Sequence, residues 1–199
     1  MKFTTYTKPF EHLIIDDFFT EEELVKVWRE IDFLAPKLAS PAEARADIDE
    51  DGTYKKSGSG LILDLVYARR ETSDILQINR KLFSLEVLET FGSLHPSYEH
   101  CKMCNFDNTL LNCYRNGDYY KSHKDIAVFS TVTFMFREPK AFEGGDFVFT
   151  DYAHTVEAIP NRTVVFPGCI SHEVTPLSTN TDDLQLARYS LANFMFVKI

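Results

Sequence analysis

Hydrophobic positions change rhythm near the middle of this chain. In the first half they recur at helical spacing. Phe18-Phe19-Thr20-Glu21-Glu22-Glu23-Leu24 opens with a capping box from Thr20 to Glu23, and the apolar face continues at Leu24, Val27, Trp28 and Ile31. A second helix is expected from about Ser73 to Phe91, on Ile75, Ile78, Leu82, Leu85, Leu88 and Phe91, with Gly92 as its stop. Between the two, Ala39–Gly60 is polar and rich in small residues and reads as a mobile loop, because neither flank alone makes a domain. From about Asn108 the pattern becomes short alternating runs: Thr109–Arg115, Val128–Phe136, Asp146–Thr150, Thr155–Ala158, Thr163–Phe166, Ser171–Val174 and Arg188–Val197. Turn signals punctuate them at Asn116-Gly117, Gly144-Gly145, Pro160-Asn161 and Pro167-Gly168. Strands this short and evenly spaced predict a mainly β fold of the sandwich or jelly-roll (cupin-like) kind, with the N-terminal helices packed on one outer face. The expected organisation is a single domain over 1–199, with helical support over about 1–100 and a catalytic β-core over about 105–199.

Composition narrows the setting. The chain has 199 residues, 44% of them hydrophobic, enough for a sizeable core, and its 17 Phe and 9 Tyr suit a β-rich interior. A net charge of −9 argues against a phosphate-tracking surface, so a nucleic-acid partner is disfavoured. Nothing resembles a signal sequence and no run approaches ~18 apolar residues, so a cytoplasmic protein without a membrane segment is expected. Cys101, Cys104, Cys113 and Cys169 then read as reduced thiols; Cys101-Lys-Met-Cys104 has metal-knuckle spacing but lacks a second pair to complete a zinc site.

The chemistry concentrates in four residues. His123-Lys124-Asp125 on a strand edge would place both side chains on one face, since positions i and i+2 point together. His172, delivered by Val164-Val-Phe-Pro-Gly168, is the best candidate for a second imidazole from a distant strand. Two imidazoles and a carboxylate make the facial triad of non-haem Fe(II) oxygenases, which leaves three metal positions open. His154 lacks an acidic neighbour at i+2 and carries no such role. Downstream, Arg188 and Ser190 alternate onto the face expected to line the barrel, and Arg188 can hold the far carboxylate of a keto-acid cosubstrate as a bidentate partner. Glu50–Arg70 is a candidate lid, with Lys55, Lys56, Arg69 and Arg70 as contacts for an acidic or peptide substrate or simply as solvated charge. Tyr119 and Tyr120 either line the entrance or pack the barrel.

Four stretches occur in one order: Leu111-Asn-Cys-Tyr114-Arg-Asn-Gly117-Asp-Tyr-Tyr120-Lys-Ser-His123-Lys-Asp125, Phe142-Glu-Gly144-Gly145-Asp146-Phe147-Val-Phe149, Val164-Val-Phe-Pro-Gly168-Cys-Ile-Ser-His172-Glu-Val-Thr-Pro176, and Arg188-Tyr-Ser190-Leu. Together with Ile15–Leu24 they closely resemble the prolyl-4-hydroxylase-like branch of the 2-oxoglutarate/Fe(II) dioxygenase superfamily. The resemblance implies a double-stranded β-helix with iron at its open end, held by His123, Asp125 and His172. It also implies Arg188 at the distal carboxylate of 2-oxoglutarate, Tyr114 as a hydrogen-bonding tyrosine, and Ser190 and Thr133 as further candidates for that carboxylate. Fe(II), 2-oxoglutarate and O2 are the implied cofactors, with ascorbate as a candidate addition. The implied reaction is hydroxylation of a C–H bond with release of succinate and CO2. A peptide or protein substrate is favoured, acted on by a monomer or homodimer. The sequence departs from that branch in a polar insert, Leu177–Leu184, and in Met135 where many relatives place tyrosine. AlkB-like nucleic-acid demethylation shares Asn-x-Tyr, His-x-Asp and Arg-x-Ser, although Phe194 stands where its second arginine is expected. A small-molecule hydroxylase and a non-enzymatic cupin-like metal-binding barrel also remain open.

Overall fold

The computed structural model describes residues 1–44 and 47–198. Among the described residues thirteen strands follow one another: β1 (Lys2–Tyr6), β2 (His12–Asp16), β3 (Ser59–Ile62), β4 (Phe106–Tyr114), β5 (Tyr120–His123), β6 (Phe129–Met135), β7 (Phe142–Gly144), β8 (Phe147–Phe149), β9 (His154–Val156), β10 (Thr163–Pro167), β11 (His172–Val174), β12 (Leu177–Thr179) and β13 (Arg188–Phe196). They form a seven-stranded antiparallel sheet, ordered β1-β2-β10-β6-β13-β4-β3, a four-stranded sheet, β5-β11-β8-β9, and the pair β12-β7. The large and small sheets face each other across an interior of Phe134, Phe147, Phe149, Val164 and Phe166, all 0–1% exposed. This is the jelly-roll architecture expected from the spacing of the strands, and the double-stranded β-helix that the resemblance implies.

The opposite face of the large sheet is covered by helices. Helix α1 (Glu21–Leu34) begins at the expected capping box: Glu23 N–H donates to Thr20 Oγ1, and Thr20 N–H donates to the Glu23 carboxylate. It buries Val27, Ile31 and Leu34 against a core shared with Leu13, Ile15, Leu111, Tyr189, Leu191 and Met195 of the sheet. Glu30 on the same helix is also buried. Its carboxylate accepts from the Ser73 hydroxyl at 2.6 Å and from Ile75 N–H at 2.9 Å, the N-terminus of a later helix where an anion is stabilised.

Two expectations change at this level. The helix expected over Ser73–Phe91 is broken. After α2 (Leu63–Val66), the chain forms α3 (Asp74–Ile78), a 3-10 stretch over Asn79–Phe83, and α4 (Leu85–Gly92). Ser73 and Ser84 each accept a backbone N–H from three residues on, so each starts its own helix; a serine inside an apolar period competes for the backbone in this way. The segment Ala39–Gly60, expected to be a mobile loop, is tied down in its described part. Ala39 bridges Gly60, Ile48 bridges Tyr54 and Lys56 bridges Tyr120, while Lys121 N–H donates to Lys55 O and Lys121 pairs with Asp49 at 2.5 Å. Arg45 and Ala46 of that segment lie outside the described residues. The N-terminal half also supplies β1, β2 and β3, so both edges of the large sheet come from residues read as helical support.

Candidate active site

The site is built where β5, β11 and the turn after β10 meet. His123 ends β5 and His172 opens β11, and the two are direct cross-strand partners, so their rings project from one face with centroids 4.3 Å apart. Asp125 does not sit on the strand as expected. It lies in the loop just past β5, held by its own N–H donating to Gly168 O at 2.9 Å, while Gly168 N–H donates to Val128 O. That mutual clasp requires glycine: a Cβ at Gly168 would overlap the Ala127 carbonyl oxygen.

The geometry fits a metal. One ligand atom from each of His123, Asp125 and His172 lies within 4.8 Å of the others. The Asp125 carboxylate stands 3.9 Å from His123 Nε2 and 3.6 Å from His172 Nε2. Each imidazole is oriented by its other nitrogen: His123 Nδ1 lies 2.9 Å from Lys121 O and His172 Nδ1 3.0 Å from Ile170 O. A carbonyl oxygen only accepts, so Nδ1 carries the hydrogen in both rings and each Nε2 keeps a free lone pair toward the centre. Burial, and the neighbouring His172, push His123 down to about 3, which keeps it in the neutral form that ligates. Burial pushes the Asp125 carboxyl up, opposed by His172 and by the Ser130 hydroxyl, which donates to it at 2.6 Å. Two imidazole nitrogens and one carboxylate suit a 2-His-1-carboxylate iron site.

Around the triad the walls are aromatic. The Tyr120 ring stacks on His123 at 3.6 Å with the planes 9° apart, and Phe147 and Phe166 flank His172 at 5.4 and 4.9 Å. Of the two readings of Tyr120, entrance lining and barrel packing, the stack on His123 is packing. The same aromatic floor leads to Arg188: Phe147 contacts Phe134 at 6.0 Å, and the Arg188 guanidinium lies 5.7 Å from the Phe134 ring and 4.9 Å from the Tyr114 ring. Arg188 is 0% exposed, and Nε, Nη1 and Nη2 all lack a hydrogen-bond partner among the described residues. Burial opposes its charge and Tyr114 and Asp146 favour it, and a guanidinium stays protonated in proteins, so this is a buried cation without a hydrogen-bond partner on the inner face of the sheet.

The remaining expected residues divide by strand parity. Tyr114 pairs with Arg188 across β4 and β13, and Ser190 pairs with Asn112, so all four face the interior; Asn112 Nδ2 donates to Ser190 Oγ at 3.3 Å. Burial pushes the Tyr114 phenol well above its ordinary range and keeps it a neutral donor. Thr133 is a correction. It pairs with Leu191 and shares the helix-side face with Phe129 and Met135, and its hydroxyl is bonded to Thr163 Oγ1 at 2.7 Å. It does not reach the chamber. Met135 likewise points away, and the inward residue beside Arg188 is Phe134. The four cations of Glu50–Arg70 also separate: Lys55 pairs with Asp47, Arg70 with Asp64 and Asp107, Arg69 with Glu71, while Lys56 turns inward and is buried. The insert after β11 forms β12 against β7. Cys101 and Cys104 lie in the helix-side core, and Cys101 Sγ donates to Leu88 O; the neighbouring His95 and His100 are exposed. Asn112 and Ser130 were not singled out by sequence. Asn112 was legible as the Asn of Asn-x-Tyr, whereas no local pattern marks Ser130.

Fold and site together define a β-barrel with a 2-His-1-carboxylate cluster between its strands. Residues 109–196 match the 2OG-Fe(II) oxygenase superfamily. The chain is 30% identical over 82 residues to a PKHD-type hydroxylase of Parvibaculum lavamentivorans, a match covering 34% of this chain and 36% of that relative's length. Its fold is similar to a Pseudomonas putida prolyl-4-hydroxylase, with a TM-score of 0.60 and 16% identity over 94% of this chain and 93% of that one. It is also similar to a 2OG-Fe(II) oxygenase family oxidoreductase from Burkholderia pseudomallei, with a TM-score of 0.59 and 18% identity over 94% and 85%. No helix among the described residues is long and apolar enough to cross a membrane.

Proposed function

We propose that this chain is an Fe(II)- and 2-oxoglutarate-dependent dioxygenase that hydroxylates a C–H bond of a prolyl or other peptidyl substrate, with release of succinate and CO2. The observation that carries the reading is Arg188. A buried, unpaired guanidinium costs on the order of several kcal/mol unless a ligand compensates it. A carboxylate reaching it from the metal site would do so through bidentate hydrogen bonds, strengthened by the low dielectric around Phe134 and Tyr114. A metal-binding barrel without a keto-acid cosubstrate gives Arg188 no such partner.

His123, Asp125 and His172 would hold Fe(II), and bound Fe(II) with 2-oxoglutarate and O2 supplies the oxidising power for C–H hydroxylation. The chain's own contribution is positioning. The carbonyls of Lys121 and Ile170 fix both imidazoles, Ser130 fixes the carboxylate, Arg188 fixes the far end of the cosubstrate, and the phenylalanine floor keeps water from the reacting centre. The peptidyl assignment draws support from the prolyl-4-hydroxylase named among the similar folds.

The test is a panel of proline-containing peptides incubated with the protein, Fe(II), 2-oxoglutarate and air. The expected outcome is succinate release matched by a peptide one oxygen atom heavier at proline. Succinate release without any peptide product across the panel would remove the peptidyl assignment; absence of 2-oxoglutarate binding would remove the whole reading.

A further inference from the structure

Lys56 precedes β3, and its side chain runs across Gly60 into the barrel. A Cβ at Gly60 would come within 2.9 Å of Lys56 Nζ, so the bare glycine is what lets the amine pass. The residue is 2% exposed. Its ammonium carries three N–H donors, and one is used, on Asn112 Oδ1 at 2.5 Å. Nζ lies 5.8 Å from the Tyr114 ring centroid, the ring that Arg188 also faces at 4.9 Å. Among the described residues no carboxylate pairs with Lys56, although the neighbouring Lys55 has Asp47. A lysine buried beside an amide, with two donors free and no carboxylate in contact, is not accounted for by packing: a leucine or methionine would fill the space without the desolvation cost.

We infer that Lys56, fixed by Asn112 and Ser190, forms a second anion subsite inside the barrel, separate from Arg188, that takes a carboxylate. The assignment of that carboxylate rests on the oxygenase reading. There, Arg188 and a divalent metal, offset by Asp125, balance the two carboxylates of 2-oxoglutarate. The Lys56 charge is then left for a carboxylate on the substrate, as in an acidic peptide or a free carboxylic acid. Burial supports the same view. It pushes the amine down to about 7, with only Cys113 and Asp118 pulling the other way, so the empty subsite sheds its proton readily and an arriving anion restores it.

Calorimetric titrations of the full chain, Mn(II)-loaded and anaerobic, test this in wild type, Lys56→Met and Lys56→Gln. Loss of charge-assisted hydrogen bonds predicts about 10- to 100-fold weaker binding at the subsite in both variants. In one arm 2-oxoglutarate is titrated; in the other, acetate is titrated with 2-oxoglutarate saturating. Weakening confined to the acetate arm supports a subsite for a substrate carboxylate, and weakening in the 2-oxoglutarate arm supports one for the cosubstrate's carboxylate. Equal binding of both probes in all three proteins would overturn the subsite. A merely structural lysine would also lower the melting temperature of the ligand-free variants. The subsite predicts that Lys56→Met melts no lower than wild type, since an uncompensated cation is removed. Should wild type fail to bind 2-oxoglutarate while acetate, titrated without it, still separates wild type from the variants, the oxygenase reading fails and the subsite stands.

Discussion

The same burial that leaves Arg188 charged holds His123 neutral, because their ordinary proton affinities lie on opposite sides of neutrality. For His123 the folded value of about 3 lies below the unfolded value near 6.5, so the unfolded chain binds the extra proton on acidification. The stabilisation is therefore complete above about pH 6.5 and is lost as pH falls toward about 3. The metal-free protein is expected to melt at lower temperature at about pH 5 than at about pH 7, and His123→Asn to lose less over that interval. Asp125, pushed up by burial, works in the other direction, which is why the comparison of the two proteins is the measurement; equal slopes would remove the argument. Ser130→Ala deletes the hydroxyl that orients Asp125, and metal affinity by Mn(II) titration should fall about 10- to 100-fold with the fold intact. At this scale the clustering of His123, Asp125 and His172 was legible because chemistry-bearing residue types sit at spacings that strands can use. Thr133 misled because its parity depends on the register of β6 against β13, which no local pattern reveals. Lys56 resembled its solvated neighbour Lys55, and only the path across Gly60 separates them.

Elements set how accurately those residues are held. The turn after β10 and the loop after β5 grip one another through Gly168, so Gly168→Ala forces the two apart. The expected cost is about 1–3 kcal/mol in urea unfolding, together with weaker metal binding, because Asp125 rides on the displaced loop. A variant as stable as wild type with unchanged metal affinity would contradict the clasp. The strands of the β-core were readable from alternation and turn residues almost to their ends. Strands β5, β7 and β12 were not: each carries one apolar or aromatic residue among polar or glycine neighbours, and their pairing partners lie far away in sequence. The helical region after Ser73 was readable as helical but not as broken, since its apolar spacing survives the interruption at Ser84.

Across the whole molecule, one sheet separates two tasks. Its outer face carries Leu111, Tyr189, Leu191 and Met195 into the helix-side core, and its inner face carries Tyr114, Asn112, Arg188 and Ser190 into the chamber. Alternation along β4 and β13 alone divides stability from chemistry. The helices were expected on one face and lie there, but the N-terminal half does more than support: β1 and β2 extend one edge of the sheet and β3 closes the other, bringing Lys56 with it. That contribution was hidden because Lys2–Tyr6 is polar and exposed and Ser59–Ile62 reads as the end of a glycine- and serine-rich loop. The central claim is that the triad and Arg188 act on one cosubstrate. It is tested most directly by adding Fe(II) and then 2-oxoglutarate anaerobically and following the visible metal-to-ligand charge-transfer band. The account predicts a band in wild type, none in His172→Ala, and a band in Arg188→Met that needs about 10- to 100-fold more 2-oxoglutarate. A band that survives His172→Ala, or one whose 2-oxoglutarate requirement is unchanged in Arg188→Met, would contradict it.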